Sequence, residues 1–301
     1  MPSRLAGKHF QNTSGKIRRA NSLNKMPKQD IAIAHSPDSD DAFMFYALAT
    51  NKVTSPNYSF QHTLKDIESL NREAHDGVWD ISAISFHAYP YISDKYCLMP
   101  CGGSLGDGYG PMVVAQRAMQ PSDLKGKKIA VPGKLTSAYL FLQIYEPDFR
   151  PVVVPFDKIL DAVQEGSVDA GLLIHEGQLT YRRQAAHCIL ELGKWWKEQF
   201  QLPIPLGGNA IRRSFAPEMR AELSRLLHDS VQYALDHRPE ALQYAMQFAR
   251  DLETELADRF VGMYVNHYTL AYGEDGKKGI EKLFDLAFER KLIPNRPLVE
   301  Y

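Results

Sequence analysis

The chain reads as an α/β protein built of two lobes with a cleft between them. Three observations predict this. Short apolar runs with strand character alternate with helical stretches of ten or more residues, which is the pattern of parallel βαβ units. Two such units come early, two more come in the middle, and helices gather toward the C-terminus. Each strand-like run ends in a polar loop, and open α/β sheets keep their ligands at the carboxyl ends of their strands.

Taken in order, residues 1–29 carry seven Lys or Arg and no acidic residue. They predict a disordered basic extension, with Met26 as an alternative start. A basic, acid-poor segment also suits an organelle transit peptide, whereas a secretory signal needs a continuous apolar core that is missing here. "DIAIA" (30–34) is a strand feeding the loop "HSPDSDD" and the helix "AFMFYALAT". "VWDISAISFHAYPYI" places a strand before a small polar turn and another helix. "LKGKKIAVPGKLTSAYLFLQIY" gives a strand at 128–131, a loop with Pro132 and Gly133, and a helix beginning near Ser137. In "VQEGSVDAGLLIHEGQ" a helix ends at Gly166 and an apolar strand runs out at His175. From Pro217 to Arg250 apolar residues recur at helical spacing, with Asp236 as a cap ahead of Pro239, and a last helix is expected over Gly279 to Arg290. The economical arrangement is a second lobe inserted into the first. Residues 30–115 plus 211–301 form lobe I, residues 116–210 form lobe II, and "PMVVAQR" and "GNAIRR" are the crossing strands.

Composition narrows the function classes. At 301 residues, 44% hydrophobic, 24% charged and a formal net charge of −1, the chain has no electrostatic footprint for nucleic acid or an anionic membrane. No window reaches the roughly 18 uninterrupted apolar residues of a membrane span. Cys97, Cys101 and Cys188 are too few for a secreted disulfide framework and read as reduced thiols in a cytoplasmic protein. No CxxC or HExxH occurs and no GxGxxG follows a strand, so neither zinc nor a dinucleotide is expected. The expected partner is a small carboxylate, with no cofactor and a monomeric or weakly dimeric state.

Four polar clusters sit at strand ends. "SPDSDDAF" (Ser36–Phe43) offers three carboxylates: they suit the positive end of a helix and a ligand contact, or, as the lesser reading, Mg²⁺ with substrate phosphates. "AISFHAY" puts Ser85 and His87 after an apolar strand, where the hydroxyl can bond a ligand or cap the next segment. "PGKLTSAY" presents Thr136 and Ser137 at a helix N-terminus, whose N–H groups make a ready site for a carboxylate or an ordinary cap. "LLIHEGQ" brings His175 and Glu176 together. Imidazole is the side chain whose unperturbed pKa suits proton abstraction near neutrality. Burying one without a partner costs free energy, so a strand-end histidine asks for a task. Trp195 and Trp196 read as packing residues, with a wall for an aromatic ligand as the alternative.

The segments "GSVDAGLLIHEGQLTY", "WWKEQFQLPIPLGGNAIRR", "IAVPGKLTSAYLFL" and "IESLNREAHDG" together resemble the 1,4-dihydroxy-6-naphthoate synthase family of the futalosine route to menaquinone. The resemblance covers the chain beyond about residue 30. It implies a type II periplasmic-binding-protein-like fold of two lobes joined by two crossing strands. It also implies a cofactor-independent lyase reaction that converts cyclic dehypoxanthine futalosine to 1,4-dihydroxy-6-naphthoate. His175 matches the family's proton acceptor. Ser85, Ser137 and Ala138 match positions that hold substrate, Asn71 sits in the matching "LNR" segment, and Ser36 and Asp40 lie in the first strand-end loop. That loop departs from the family's S-P-C-P-N-D-T-F, with acid at Asp38 and Asp40 in the amide position. Ala83 stands where lysine is frequent. Losing a cation and gaining carboxylates implies weaker attraction for an anionic substrate and a changed pocket. Two other functions share such a fold: capture of a small carboxylate by a solute-binding protein, and chorismate dehydration in the same pathway. The "IHE" and "WW" segments fit the second of these less well.

Overall fold

The computed structural model describes residues 27–248 and 253–301. The expected basic extension falls outside them apart from its last three residues, and Gln29 already opens the first strand. The first lobe begins with β1 (Gln29–His35), α1 (Ser39–Ala49), β2 (Tyr58–Leu64), α2 (Ile67–Asp76), β3 (Ile81–Ser85), β4 (Tyr96–Leu98) and β5 (Ser104–Gly106). The second lobe holds β6 (Met112–Ala115), β7 (Lys128–Val131), α3 (Ser137–Tyr145), β8 (Arg150–Val153), α4 (Ile159–Gln164), β9 (Ala170–Leu173), α5 (Gly177–Thr180), β10 (His187–Glu191) and α6 (Leu192–Phe200). The chain returns through β11 (Ile204–Arg212). It ends in the helices α7 (Pro217–Asp236), α8 (Arg238–Ala245), α9 (Thr254–Tyr264), α10 (His267–Leu270) and α11 (Gly273–Glu289). Among the described residues no helix is long and apolar enough to cross a membrane.

The two sheets repeat one plan. In the first the order is β2-β1-β3-β11-β4, with β1 parallel to β2 and β3, β11 antiparallel to β3, and β5 also paired to β11. In the second it is β8-β7-β9-β6-β10, with β7 parallel to β8 and β9, and β6 antiparallel to β9. In each, two parallel βαβ crossovers set three strands side by side, and the strand connecting the lobes closes the set antiparallel. The inner strands are covered on both faces, which is why β3, β6 and β9 are buried at every position and β6 and β9 read as continuous apolar runs.

Sheet pairing moves both expected lobe boundaries. Met112–Ala115 pairs with β9 and β10 in the second sheet, and Ile204–Asn209 belongs to the first through β3 and β5. The crossings are therefore the short segments on the N-terminal side of β6 and of β11; an apolar run shows burial, not which sheet buries it. Three other expectations change. The segment after β3 is a single 3₁₀ turn, Tyr89–Tyr91, because Pro90 starts it and β4 follows at once. Asp236 does not cap α8: it ends α7 and accepts from Gln232 Nε2 (2.9 Å), while His237 stacks on Tyr233 and takes the position between the helices. The last helix begins at Gly273. Its interior Gly279 faces the Pro203 carbonyl, which a Cβ would approach to 2.7 Å.

One apolar cluster runs through both lobes, from Ile129 and Phe141 through Leu192 and Trp196 to Phe86, Tyr272 and Phe284. Trp196 is fully buried, stands edge-on to Phe141 (5.0 Å) and donates Nε1–H to the Pro203 carbonyl (3.0 Å), so the double tryptophan packs the base of the hinge. Beside it the backbones touch: a Cβ on Gly193 would lie 2.1 Å from the Tyr109 carbonyl carbon. Since that neighbour is main chain, G193A must shift the crossing itself. An overpacking cost of about 1–3 kcal/mol is expected, read in chemical denaturation as a lower midpoint with the slope unchanged. An unaltered midpoint would show that the crossing yields freely.

Candidate active site

The carboxyl ends of β1, β3, β7 and β9 converge on the space between the lobes. This cleft encloses about 730 Å³ including its open mouth. The loop after β1 contributes Ser36, Asp40 and Asp41; β3 contributes Ala83, Ile84 and Ser85; the loop and first turn after β7 contribute Thr136, Ser137 and Ala138. Ile174, His175 and Gln178 follow β9, and Leu206–Asn209 of β11 form the back wall, with Phe260 and Tyr264 of α9. Among the described residues, none that lines the cleft is Lys or Arg.

The structure brings together seven of the eight site residues expected from sequence: Ser36, Asp40, Ala83, Ser85, Ser137, Ala138 and His175 line the cleft. Asn71 stands behind them, fully buried on α2. Its Nδ2 donates to Ser85 Oγ (3.1 Å) and to the Leu135 carbonyl of the other lobe (3.3 Å), and its Oδ1 accepts the Ser85 N–H (2.8 Å). Thr136 turns out to be an ordinary cap, its hydroxyl accepting from the Tyr139 N–H (3.3 Å). Ser137 instead crosses the seam, its hydroxyl donating to the Leu206 carbonyl and accepting from the His87 N–H (3.3 Å). Being the first residues of α3, Ser137 and Ala138 have N–H groups with no intrahelical acceptor.

His175 sits two residues beyond the end of β9 with φ +50, a left-handed conformation in which the chain turns sharply from strand into α5. Gln178 holds that turn. With its amide nitrogen donating to the Gly110 carbonyl (2.6 Å), its oxygen accepts from the Tyr264 hydroxyl (3.0 Å) and from the His175 N–H (3.3 Å). The imidazole stands edge-on to Phe156 (4.9 Å), places Nδ1 3.2 Å from Asp38 Oδ2, and has a buried Nε2 with no hydrogen-bond partner. Next to it Glu176 Oε1 accepts from Ser39 Oγ (3.2 Å).

Asp38 heads α1 but does not cap it; no N–H of the helix bonds to its side chain. Its Oδ2 accepts from Ser36 Oγ and faces His175, while Oδ1 is buried without a partner. Asp41 takes the Ser36 N–H (2.8 Å). The acidic loop is thus folded inward, and desolvation disfavours its ionised forms. Burial raises the Asp40 carboxyl well above the ordinary carboxylate range, with Asp41, Asp38 and Glu176 adding repulsion. Burial likewise raises Glu176, with Asp38 adding to the rise, and pushes Asp41 up to about 7 against the Ser36 N–H bond, which favours its ionised form. Carboxyls raised in this way repel an anion less than the sequence, with its two added acids, implies. Among the described residues no group of three or more His, Cys, Asp or Glu is arranged to hold a metal ion.

Sequence reasoning missed the pairing of Asp38 with His175 and of Ser39 with Glu176, because both bonds span 137 positions. It also missed Gln178 and Tyr264. Gln178 stands three positions from the histidine and could have been suspected; Tyr264 lies in a helix with no polar pattern that marks it.

The Asp41 carboxyl carries a sign that can be tested. Between its ordinary value of 3.8 and about 7 the unfolded chain gives up this proton and the folded chain keeps it. Stability therefore falls as pH rises through that window, by at most about 1.4 kcal/mol for each pH step of one. D41N removes the titration. Its melting temperature is expected to match wild type near pH 4, to exceed it by a growing margin up to about pH 7, and to hold that margin above. A constant difference across the whole range would show that Asp41 is ionised throughout.

Comparison with known proteins agrees with this geometry. Residues 31–289 match the family described as menaquinone biosynthesis. The chain is 39% identical over 267 residues to the 1,4-dihydroxy-6-naphthoate synthase of Thermus thermophilus, covering 89% of this chain and 97% of that one. It is 36% identical over 275 residues to the enzyme of the same name from Streptomyces coelicolor, with 89% and 96% covered. Among solved structures, a protein of Archaeoglobus fulgidus superposes with a TM-score of 0.84 at 46% identity, covering 88% of this chain and 98% of that one. The alkanesulfonate-binding protein of Xanthomonas axonopodis reaches a TM-score of 0.68 at 15% identity, with 91% and 98% covered, a likeness of periplasmic-binding-protein fold alone. The chain belongs to the menaquinone biosynthesis family and is one of its enzymes.

Proposed function

We propose that this chain converts cyclic dehypoxanthine futalosine to 1,4-dihydroxy-6-naphthoate, as a carbon–carbon lyase with His175 as its general base. The observation that carries the reading is the state of that imidazole. It lies in the interlobe cleft with Nδ1 on a carboxylate, and its buried Nε2 has no partner in the protein. A buried basic nitrogen with no protein partner is costly unless a ligand or a proton comes to it. Two relatives of this name, each matched over 89% of the chain, supply the substrate class.

In this reading the substrate carboxylate docks against the first N–H groups of α3 at Ser137 and Ala138, where the helix dipole favours negative charge. Ser85, held from behind by Asn71, bonds the polar edge of the ring system. The apolar wall of Ile84, Leu206 and Phe260 takes its faces. His175 removes the proton of a hydroxyl on the sugar-derived fragment, the O–H pair becomes that fragment's carbonyl, the carbon–carbon bond to the ring system breaks with its pair passing into the ring system, and aromatisation supplies the driving force. Asp40 and Asp41, raised by burial, oppose the docking anion less than ordinary carboxylates would.

Incubating the purified protein with cyclic dehypoxanthine futalosine and following the naphthoate by absorbance and mass tests the activity. A protein that only captures a small carboxylate would be stabilised by it and yield no product. H175N is expected to bind substrate within a few-fold of wild type and to turn over at least about 10²-fold more slowly. Turnover at the wild-type rate would remove His175 from the mechanism.

A further inference from the structure

We propose that Asp38 is a positioning residue for His175: its carboxylate fixes which ring nitrogen is free to accept a proton. This rests on the reading of His175 as the base. Asp38 occupies the position ahead of α1 where an Asp ordinarily accepts a helix N–H, and it makes no such bond. The side chain is instead 2% exposed and turned across the seam, with Oδ2 3.2 Å from His175 Nδ1 and bonded by the Ser36 hydroxyl. An ionised carboxylate only accepts, so the Nδ1 facing it must carry the hydrogen, and neutral imidazole then has its lone pair on Nε2. That nitrogen is the one without a partner. As protonation proceeds, the same carboxylate faces the forming imidazolium, the role an acidic partner plays in Asp–His pairs of hydrolases. The other acids near the ring are engaged elsewhere: Asp41 by the Ser36 N–H and Glu176 by Ser39.

D38N places an amide where the carboxylate was. Its NH₂ can donate to Nδ1 and favour the opposite tautomer, with the hydrogen on Nε2. The expected result is a kcat at least about 10²-fold lower with KM within about threefold. D38E, which returns a carboxylate, should recover part of the loss. ¹⁵N NMR of histidine-labelled protein supplies a readout that a merely structural role would not move. The His175 signals, assigned by their absence from H175N, should show unprotonated Nε2 in wild type and protonated Nε2 in D38N. If D38N melts far below wild type, D38S serves in its place, with the same loss of rate and loss of tautomer preference expected. A D38N or D38S enzyme with wild-type kcat and unchanged tautomer overturns the proposal while leaving His175 as base. A fully active H175N overturns the base reading itself, and the two failures are therefore distinct.

Discussion

The structure depends on gathering four carboxyl groups, those of Asp38, Asp40 and Glu176 buried and that of Asp41 half-buried, at a seam whose described lining holds no lysine or arginine. Ionised together in such a place they would repel one another by several kcal/mol at any reasonable effective dielectric. The fold resolves this in two ways. Three of the four are raised by burial and so keep their protons more readily than ordinary carboxyls. The fourth, Asp38, meets the histidine of the cleft. The acidic loop is thereby tied to the other lobe through Asp38 with His175 and Ser39 with Glu176, so groups at the site also hold the seam.

Much of the architecture was legible in the sequence, because hydrophobic period and strand-end polarity are local signals. The strand at 128–131, the helix from Ser137 and the apolar run ending near His175 all stand where their patterns put them. The lobe boundaries were legible only approximately: "PMVV" is apolar whichever sheet buries it, and β6 is assigned by pairing with β9 and β10 from far along the chain. The start of α11 was misjudged for a related reason. Glycines at 276 and 279 lower helix propensity, and their cause is a close-packed neighbour that the sequence does not show. In the site, residue types at strand ends pointed to the cleft, but their pairing did not. Asp38 reads as a helix cap by every local rule, and only the tertiary contact with His175 withdraws it from that role.

The likeness to binding proteins of the same fold sharpens what makes this cleft different. Both sheets follow one strand order, so each lobe offers equivalent loops to the ligand: Ser36–Asp41 after β1 answers Thr136–Ala138 after β7, and Ser85 at the end of β3 answers His175 after β9. Symmetry of plan is used asymmetrically. The α3 side presents helix N–H groups and hydroxyls, suited to holding an anion, and the α1 side presents carboxyls and no cation. Capture alone would be served by donors on both sides. An acid-lined half facing an imidazole has no evident use in simple capture and an obvious one in moving protons.

Partition between lobes gives the arrangement a kinetic consequence. Asp38 and Ser36 belong to the first lobe and His175 to the second, so the pair exists only when the lobes meet. Without the carboxylate, nothing on the second lobe would select between the two tautomers of the imidazole. In the proposed reading, a ligand that bridges Ser137–Ala138 and Ser85 would hold the lobes together and with them Nδ1 against the carboxylate. On that reading, binding energy from parts of the substrate remote from the reacting carbon would be spent on assembling the proposed base, the logic by which closure serves catalysis as well as retention. The fold needs no new element for this, only one acid on one lobe and one histidine on the other, at loops that already meet.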